Sequence, residues 1–336
     1  MDVVNAAIDN VWATSEHIII GPDFSDITSD EETPGSDVNK VHIKTDATAT
    51  TVAGRWYDRV RDINGSVLDL TSNAIAAYSL RKLSWDYSGN AIRVRRDNDD
   101  AEQDIGFATN SDQLDTAGLL SFTGSNSAYV VTWYDQSGNG RHATNSDSAE
   151  QPRIVNSGAI ETIDGFNSIH WHDSGKFLVY TGSLGLTSKV MAIAPIAITS
   201  GSPQYSRIIT LYKTGDSTDF NGSTSAQLVG SHSPSNYLRG FNYPYNAITT
   251  YDQLSLLGSH KDGSSNNFYL DGELVNSAES SSVLDLSNTT NIVIGAGGTP
   301  SGVGNTLSME GYIPELVILN TGSDAAMDEI KQAYNL

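Results

Sequence analysis

From residue 67 onward the chain is a succession of short apolar runs, each cut off by Gly, Asn, Asp or Ser. Examples are AYVVTWY (128–134), SIHWH (168–172), KFLVY (176–180), VMAIAPIAI (190–198), SRIITLY (206–212), NNFYL (266–270), NIVIGA (291–296) and YIPELVIL (312–319). Runs of this length are strands rather than helices, and SGNG, DGF, DGS and DGE between them are tight-turn sequences. NFYLDGELV (267–275) is a hairpin with Asp271-Gly272 at its turn. A chain that must bury many short strands with few helices closes into a β-sandwich, here expected to be of jelly-roll type. No repeat of 20–50 residues is visible, which removes solenoids and propellers.

Helices are expected only at the flanks. TSNAIAAYSLRKLSWDY (71–87) is the best helix candidate, capped by Ser72 or Asn73, with Ile75, Tyr78, Leu80 and Leu83 at roughly helical spacing. AIRVRR (91–96) alternates, Ile92 and Val94 against Arg93 and Arg95, as a half-buried strand does. MDEIKQAYN (327–335) closes the chain with a turn or two of helix.

Residues 1–66 have a different texture and are read as a separate N-terminal segment, with the sandwich domain at 67–336. PDFSDITSDEETPGSD (22–37) holds six acidic residues and two prolines between the apolar pieces HIII (17–20) and KVHI (40–43). Two readings stand side by side: an arm that docks on another protein through residues such as Ile18, Ile19 and Ile20, or a hairpin packed on the main domain.

A net charge of −21 argues against nucleic acid or an anionic membrane as partner, since both are polyanions. The chain has no cysteine, which excludes disulfides and thiolate-bound zinc. MDVVNAAIDN does not read as a secretory signal, and no apolar run approaches the roughly 18 residues of a membrane span. The expectation is a protein folded in a cytoplasm, with no membrane insertion.

Three stretches carry a resemblance: AAYSLRKLSWDYSGNAIRVRRDNDDAEQDIGF (76–107), VVTWYDQSGNGRHAT (130–144) and QPRIV (151–155). They resemble the catalytic domain of the α-L-arabinofuranosidase B glycosidases, and the laminin-G/concanavalin-A-like modules of marine bacteriophage tail and virion proteins. YLDGELV and MEGYIPELVIL resemble laminin-G-like sandwiches more generally. The resemblance implies an all-β, laminin-G/concanavalin-A-like jelly-roll sandwich with short flanking helices and an N-terminal arm.

The enzyme branch implies retaining glycoside hydrolysis by two carboxyls about 5 Å apart. In that family the acid/base is an aspartate just after a Gly-Gly pair; in the matching stretch IGAGGTPSG (294–302) that place is held by Thr299, whose hydroxyl is no proton donor at neutral pH. The nucleophile is a glutamate whose best local match, ITLYKTGDSTDF (209–220), offers Asp216 and Asp219 instead. The family's cysteines at the sugar site are also missing. This leads to the expectation that the fold is kept and the reaction lost, with no catalytic residues and no cofactor. The phage branch then implies a non-enzymatic virion protein, a tail fibre or capsid decoration on the particle surface. It would contact other virion proteins, form a homo-oligomer, and bind cell-surface carbohydrate. The alternatives are a divergent glycoside hydrolase with carboxylates at Asp216, Asp219 or Glu310, and a carbohydrate-binding module of a surface protein.

Other clusters each carry two readings. HWHD (170–173) puts His170 and His172 on one strand face beside Asp173, as zinc ligands lacking a third partner or as solvent-facing residues flanking a buried Trp171. Asp97, Asp99 and Asp100 suggest a calcium loop without the Gly and Glu of an EF-hand, or a turn that answers Arg93, Arg95 and Arg96. Those arginines, with Arg81 and Lys82, are a nucleic-acid patch or an ion-pair network, and the global charge favours the second. Tyr237, Phe241, Tyr243 and Tyr245 crowd a Pro/Gly loop, where they stack on glycans, meet another subunit or cover the core. GAGGTPSGVG (295–304) lacks the ending of a phosphate-binding loop and is read as a plain loop. WYDQSGNGRH (133–142) looks like an active-site loop but is read as a strand end and turn, with Asp135 capping.

Overall fold

The computed structural model describes residues 67–321 and Met327, apart from 71–72, 110, 200–205, 214–225, 233–236, 242–244, 248–250, 280–284, 300–301 and 305–306. The expected N-terminal arm with Ile18, Ile19 and Ile20, and the C-terminal helix beyond Met327, lie outside the described residues. The strands belong to one unit, Val67–Leu336.

In chain order a short helix α1 (Val67–Leu70) precedes β1 (Ala74–Ser79), β2 (Ile92–Arg96) and β3 (Glu102–Ile105). Helix α2 (Thr116–Thr123) leads to β4 (Ala128–Trp133), β5 (Ala143–Thr144), β6 (Arg153–Asn156) and β7 (Ala159–Ile160). Then come β8 (Thr162–Ile163), β9 (Phe166–Asn167), β10 (Ile169–Trp171), β11 (Leu178–Thr181), β12 (Lys189–Ile198) and β13 (Arg207–Tyr212). β14 (Ala226–His232), β15 (Tyr237–Arg239), β16 (Tyr245–Ala247), β17 (Ser255–Asp262), β18 (Ser265–Leu270) and β19 (Glu273–Glu279) follow. The series ends with β20 (Asn291–Ile294), β21 (Gly297–Thr299), β22 (Gly302–Gly304), β23 (Gly311–Ile313) and β24 (Glu315–Leu319).

All pairings between these strands are antiparallel. One layer runs β1-β24-β12-β17-β18-β19. The other starts β3-β2-β4 and continues from β4 along two paths. The first is β6-β10-β23; the second is β5-β11-β20-β13-β14-β15-β16. β12 belongs to both layers: Lys189–Ile196 pairs with β17, while Ala197 and Ile198 pair with β23. The main core lies between the layers, where Tyr78 meets Trp133 at 5.7 Å between ring centroids and Trp133 meets Trp171 at 6.2 Å. The coarse expectation of an all-β sandwich is met.

Two elements differ from expectation. The helix foreseen over 71–87 is instead strand β1, hydrogen-bonded to β24 in register Tyr78↔Leu316 and Ser79↔Glu315. Both faces of β1 are buried, Ala76 and Tyr78 in the main core and Ala77 in a second cluster with Met191, Ile193, Val317 and Met327. Burial on both sides erases the period-two alternation that marks a strand. Helix α2 was not foreseen; Asp115 caps it by accepting Gly118 N–H at 2.9 Å.

At the end of β1, Ser79 Oγ and Arg81 Nε both donate to Glu315 Oε2 at 2.8 Å, and Glu315 is 2% exposed. Glu315→Gln is expected to lower stability by about 2–3 kcal/mol in urea unfolding. That is at or below the roughly 3–5 kcal/mol for breaking a fully buried pair, because water still reaches Arg81.

Candidate functional site

The motif WYDQSGNGRH proves to be a clasp on β1. β4 and β5 pair at Trp133↔Ala143, so the motif spans a hairpin, as expected. Asp135 is buried and accepts three backbone N–H groups at 2.9 Å: Ala77 on β1, Ser137 and Arg141. Gln136 accepts Leu83 N–H and donates to the carbonyls of Ser79 and Arg81. Asn139 and the Arg141 guanidinium donate to the Ile75 carbonyl, and Tyr78 Oη donates to Arg141 O at 2.6 Å. His142 Nδ1 accepts Asp135 N–H, so even the imidazole is engaged. Every chemically suggestive group here is committed to holding the sandwich edge.

The arginine cluster is likewise an ion-pair network. Arg93 binds Asp104 in two parallel bonds of 2.8 Å, Arg95 meets Asp100 at 2.8 Å, and Arg96 meets Asp99 at 2.6 Å. Of the calcium candidates, Asp99 and Asp100 are thus paired with arginines in the β2–β3 turn. Among the described residues no group of three or more His, Asp or Glu side chains is placed to hold a metal ion. No helix of the described residues is long and apolar enough to cross a membrane.

The aromatic loop is corrected at one position. Phe241 is fully buried in the main core, its N–H bound to Ser259 Oγ at 2.8 Å, so it offers no surface to a glycan. Tyr237 and Tyr245 lie on β15 and β16, and Tyr243 lies outside the described residues.

The polar face that remains is on the second layer, turned away from the core. Cross-strand register lines up Arg95 with Tyr129, Tyr129 with Arg153, Arg153 with His170, His170 with Tyr312, and Tyr312 with Ala197. On these strands Val94, Val130, Ile154, Trp171 and Ile313 point into the core, and period-two alternation sends the row outward. The rings form a continuous floor. The Arg95 guanidinium lies 5.1 Å from the Tyr129 ring, Tyr129 is 5.8 Å from His172, and His172 is 5.9 Å from His170. His170 stacks on Tyr312 at 4.1 Å with 13° between the planes.

Carboxyls fringe this floor. Glu161 Oε1 accepts Arg153 Nε at 2.6 Å and lies 3.3 Å from His170 Nδ1. Burial alone would raise the Glu161 carboxyl, and the bonds from His170 and Arg153 outweigh it and hold it below the ordinary range. Asp173 is largely exposed, its Oδ2 3.4 Å from His172 Nε2. Glu310 begins the turn into β23; its carboxyl is raised by burial and by the Asp173 charge, with His170 opposing. The backbone of Glu310 is fixed by Thr199 N–H, bound to its carbonyl at 3.1 Å. Thr199 Oγ1 is buried beside it without a hydrogen-bond partner among the described residues.

Burial, with Arg153 nearby, drives the His172 imidazole from 6.5 down to about 4. An imidazole that is neutral when folded but protonates when unfolded takes stability away as pH falls from about 6.5 towards about 4. His172→Gln is expected to flatten that part of the stability–pH curve, as measured by urea unfolding across the window.

The glycine-rich stretch 295–304, expected as a loop, is a small hairpin of β21 and β22 paired at Thr299↔Gly302. Thr210 Oγ1 donates to Ala296 O, which brings the stretch back over β13 on the same outer side. Met309 N–H binds Gly295 O at 2.8 Å, so the residue before Glu310 is tied to the start of this hairpin.

Residues 69–168, the stretch that builds the clasp and the first half of the row, match the family described as alpha-L-arabinofuranosidase B, catalytic. Solved structures with a similar fold include a GH54 α-L-arabinofuranosidase soaked with a cyclic sulfate inhibitor. It has TM-score 0.59 and 16% identity over 77% of this chain and 63% of that one. A variant of a GH54 α-L-arabinofuranosidase soaked with 4-nitrophenyl α-L-arabinofuranoside gives the same values. An arabinofuranosidase complexed with arabinofuranosyl-α-1,2-xylobiose has TM-score 0.56 and 15% identity over 77% and 62% of the two chains. The chain thus spans less than two thirds of the length of these relatives. No curated protein matches it.

These findings correct the virion reading. The matching family is an enzyme's catalytic domain and the similar structures are arabinofuranosidases, so the expectation of a non-enzymatic laminin-G-like phage fibre or decoration protein is overturned. Thr299, the unmatched nucleophile and the missing cysteines together read as loss of the reaction, and the family match speaks against that reading.

Proposed function

We propose that this chain is a glycoside hydrolase that removes α-L-arabinofuranosyl or closely related sugar groups from glycans, on a sandwich of jelly-roll connectivity. The match of residues 69–168 to the arabinofuranosidase B catalytic family carries this reading. The likeness of fold over 77% of the chain to arabinofuranosidases supports it. The ring floor on the second layer is also of the right kind, since sugar rings pack on aromatic faces while carboxyls reach their oxygens.

Glycoside hydrolysis requires two carboxyls, about 5–5.5 Å apart for a retaining enzyme and about 6.5–9.5 Å for an inverting one. Asp216 and Asp219 lie outside the described residues; Glu310 and Asp173 stand on the described face. The test is sugar release by the purified full chain from 4-nitrophenyl glycosides and arabinose-bearing polysaccharides. Release of arabinose from the α-L-arabinofuranoside is expected. Release of no sugar from any member of the panel overturns the proposal.

A further inference from the structure

The sequence puts a threonine where the related glycosidases keep their proton donor, and the fold sets a carboxyl just past the residue that ties down the base of the same hairpin. Residue 299 sits in the β21–β22 hairpin, whose base at Gly295 is hydrogen-bonded to Met309, directly before Glu310. Glu310 stands one step beyond the β10–β23 ladder. That ladder pairs Ile169↔Ile313, His170↔Tyr312 and Trp171↔Gly311, so its continuation sets Glu310 opposite His172, on the His170–Tyr312 side of the sheet.

We propose that Glu310 is the proton donor for glycosidic cleavage on this face, with Asp173 as the partner carboxylate and the His170–Tyr312 stack as the floor under the sugar. This rests on the hydrolase reading above. Glu310 gives its proton to the glycosidic oxygen as the bond from that oxygen to the sugar carbon breaks; the aglycone leaves as a neutral alcohol and an Asp173 oxygen bonds to the sugar carbon. The oxygen of a water molecule then bonds to that carbon as the Asp173–carbon bond breaks, and the water's proton passes to Glu310. The free sugar leaves, with Asp173 again a carboxylate and Glu310 again protonated.

The surroundings suit a donor. Two neighbouring carboxyls do not readily ionise together, and here the more buried of the two is Glu310 while Asp173 is largely exposed. The other charged or titratable groups around this spot are His170, His172 and Tyr312 on the sheet, Glu161 with Arg153, which neutralise one another, Lys176 near His172 and Asp252 near Tyr312.

The test compares Glu310→Gln and Glu310→Asp with the parent chain on two kinds of substrate. On alkyl arabinofuranosides and arabino-oligosaccharides, whose leaving groups need a proton, Glu310→Gln is expected to lower kcat/KM about 10²–10⁴-fold. On 4-nitrophenyl arabinofuranoside, whose leaving group departs as a stable anion, the loss is expected to be at least tenfold smaller, and the basic limb of the kcat/KM–pH profile to disappear. A structural role would lower both substrates alike. Glu310→Asp, which keeps the acid, should recover part of the alkyl-glycoside activity, and does so even if the glutamine variant folds poorly. A parent chain that hydrolyses normally, with Glu310→Gln within about threefold of it on alkyl substrates, overturns the assignment to Glu310 and leaves the hydrolase reading standing. Equal losses on both substrates overturn it too. A parent chain without any hydrolysis overturns both.

Discussion

Asp135→Ala is expected to cost about 4 kcal/mol or more of folding stability, read as a lowered urea midpoint and a fall of about 10 °C in Tm. The carboxylate is 2% exposed and accepts N–H groups from Ala77, Ser137 and Arg141, each at 2.9 Å. Alanine leaves all three donors facing an empty space too small to hydrate them properly, and a buried donor without a partner costs about 1–3 kcal/mol. Asp135→Asn keeps Oδ1, the acceptor for Ala77 and Ser137, and turns an amide NH₂ toward the Arg141 N–H, so it should lose about half as much. If Asp135→Ala unfolds within about 1 kcal/mol of the parent, the clasp does not hold β1 in the way described.

Gly295→Ala is expected to be the more severe change, leaving little folded protein at 37 °C. Gly295 has φ +89°, a conformation L side chains rarely adopt, and a Cβ there would collide with Trp171 Nε1. Neither side can yield. Gly295 is bound through its N–H to Ile208 O and through its carbonyl to Met309 N–H, each at 2.8 Å. Trp171 is fully buried against Trp133. Strain in the backbone adds to overpacking of the core, each costing about 1–3 kcal/mol. A soluble expression yield and Tm for Gly295→Ala equal to those of the parent would show that the hairpin base moves freely.

The general architecture was legible because alternation and turn chemistry are local. Asp271 and Gly272 both take positive φ, at 49° and 79°, in the hairpin their sequence announces. HWHD was legible for the same reason: Trp171 is buried and the flanking histidines stand on the other face. What failed was whatever depends on partners distant in the chain. β1 satisfies helical spacing as well as strand spacing, and only its pairing with β24 decides between them. Phe241 is as aromatic as its loop neighbours, and nothing local says that it is the one buried in the main core. Helix α2 carries Gly118 and Thr123, poor helix formers that hide the cap at Asp115. Glu310 is one acidic residue among 40 until β23 is laid beside β10. Thr299 could not settle the reaction, because a missing group at one position is silent about carboxyls elsewhere in the fold.

β12 has a consequence for how the molecule comes apart. The strand gives Lys189–Ile196 to β17 in one layer and Ala197 and Ile198 to β23 in the other. β23 also carries Tyr312, the stacking partner of His170. Prying the layers apart therefore means tearing a covalently continuous ladder, with no plane of weakness at that seam. Force applied to the ring floor is carried into the far layer through backbone hydrogen bonds in shear, which ties the resilience of the candidate site to that of the whole sandwich.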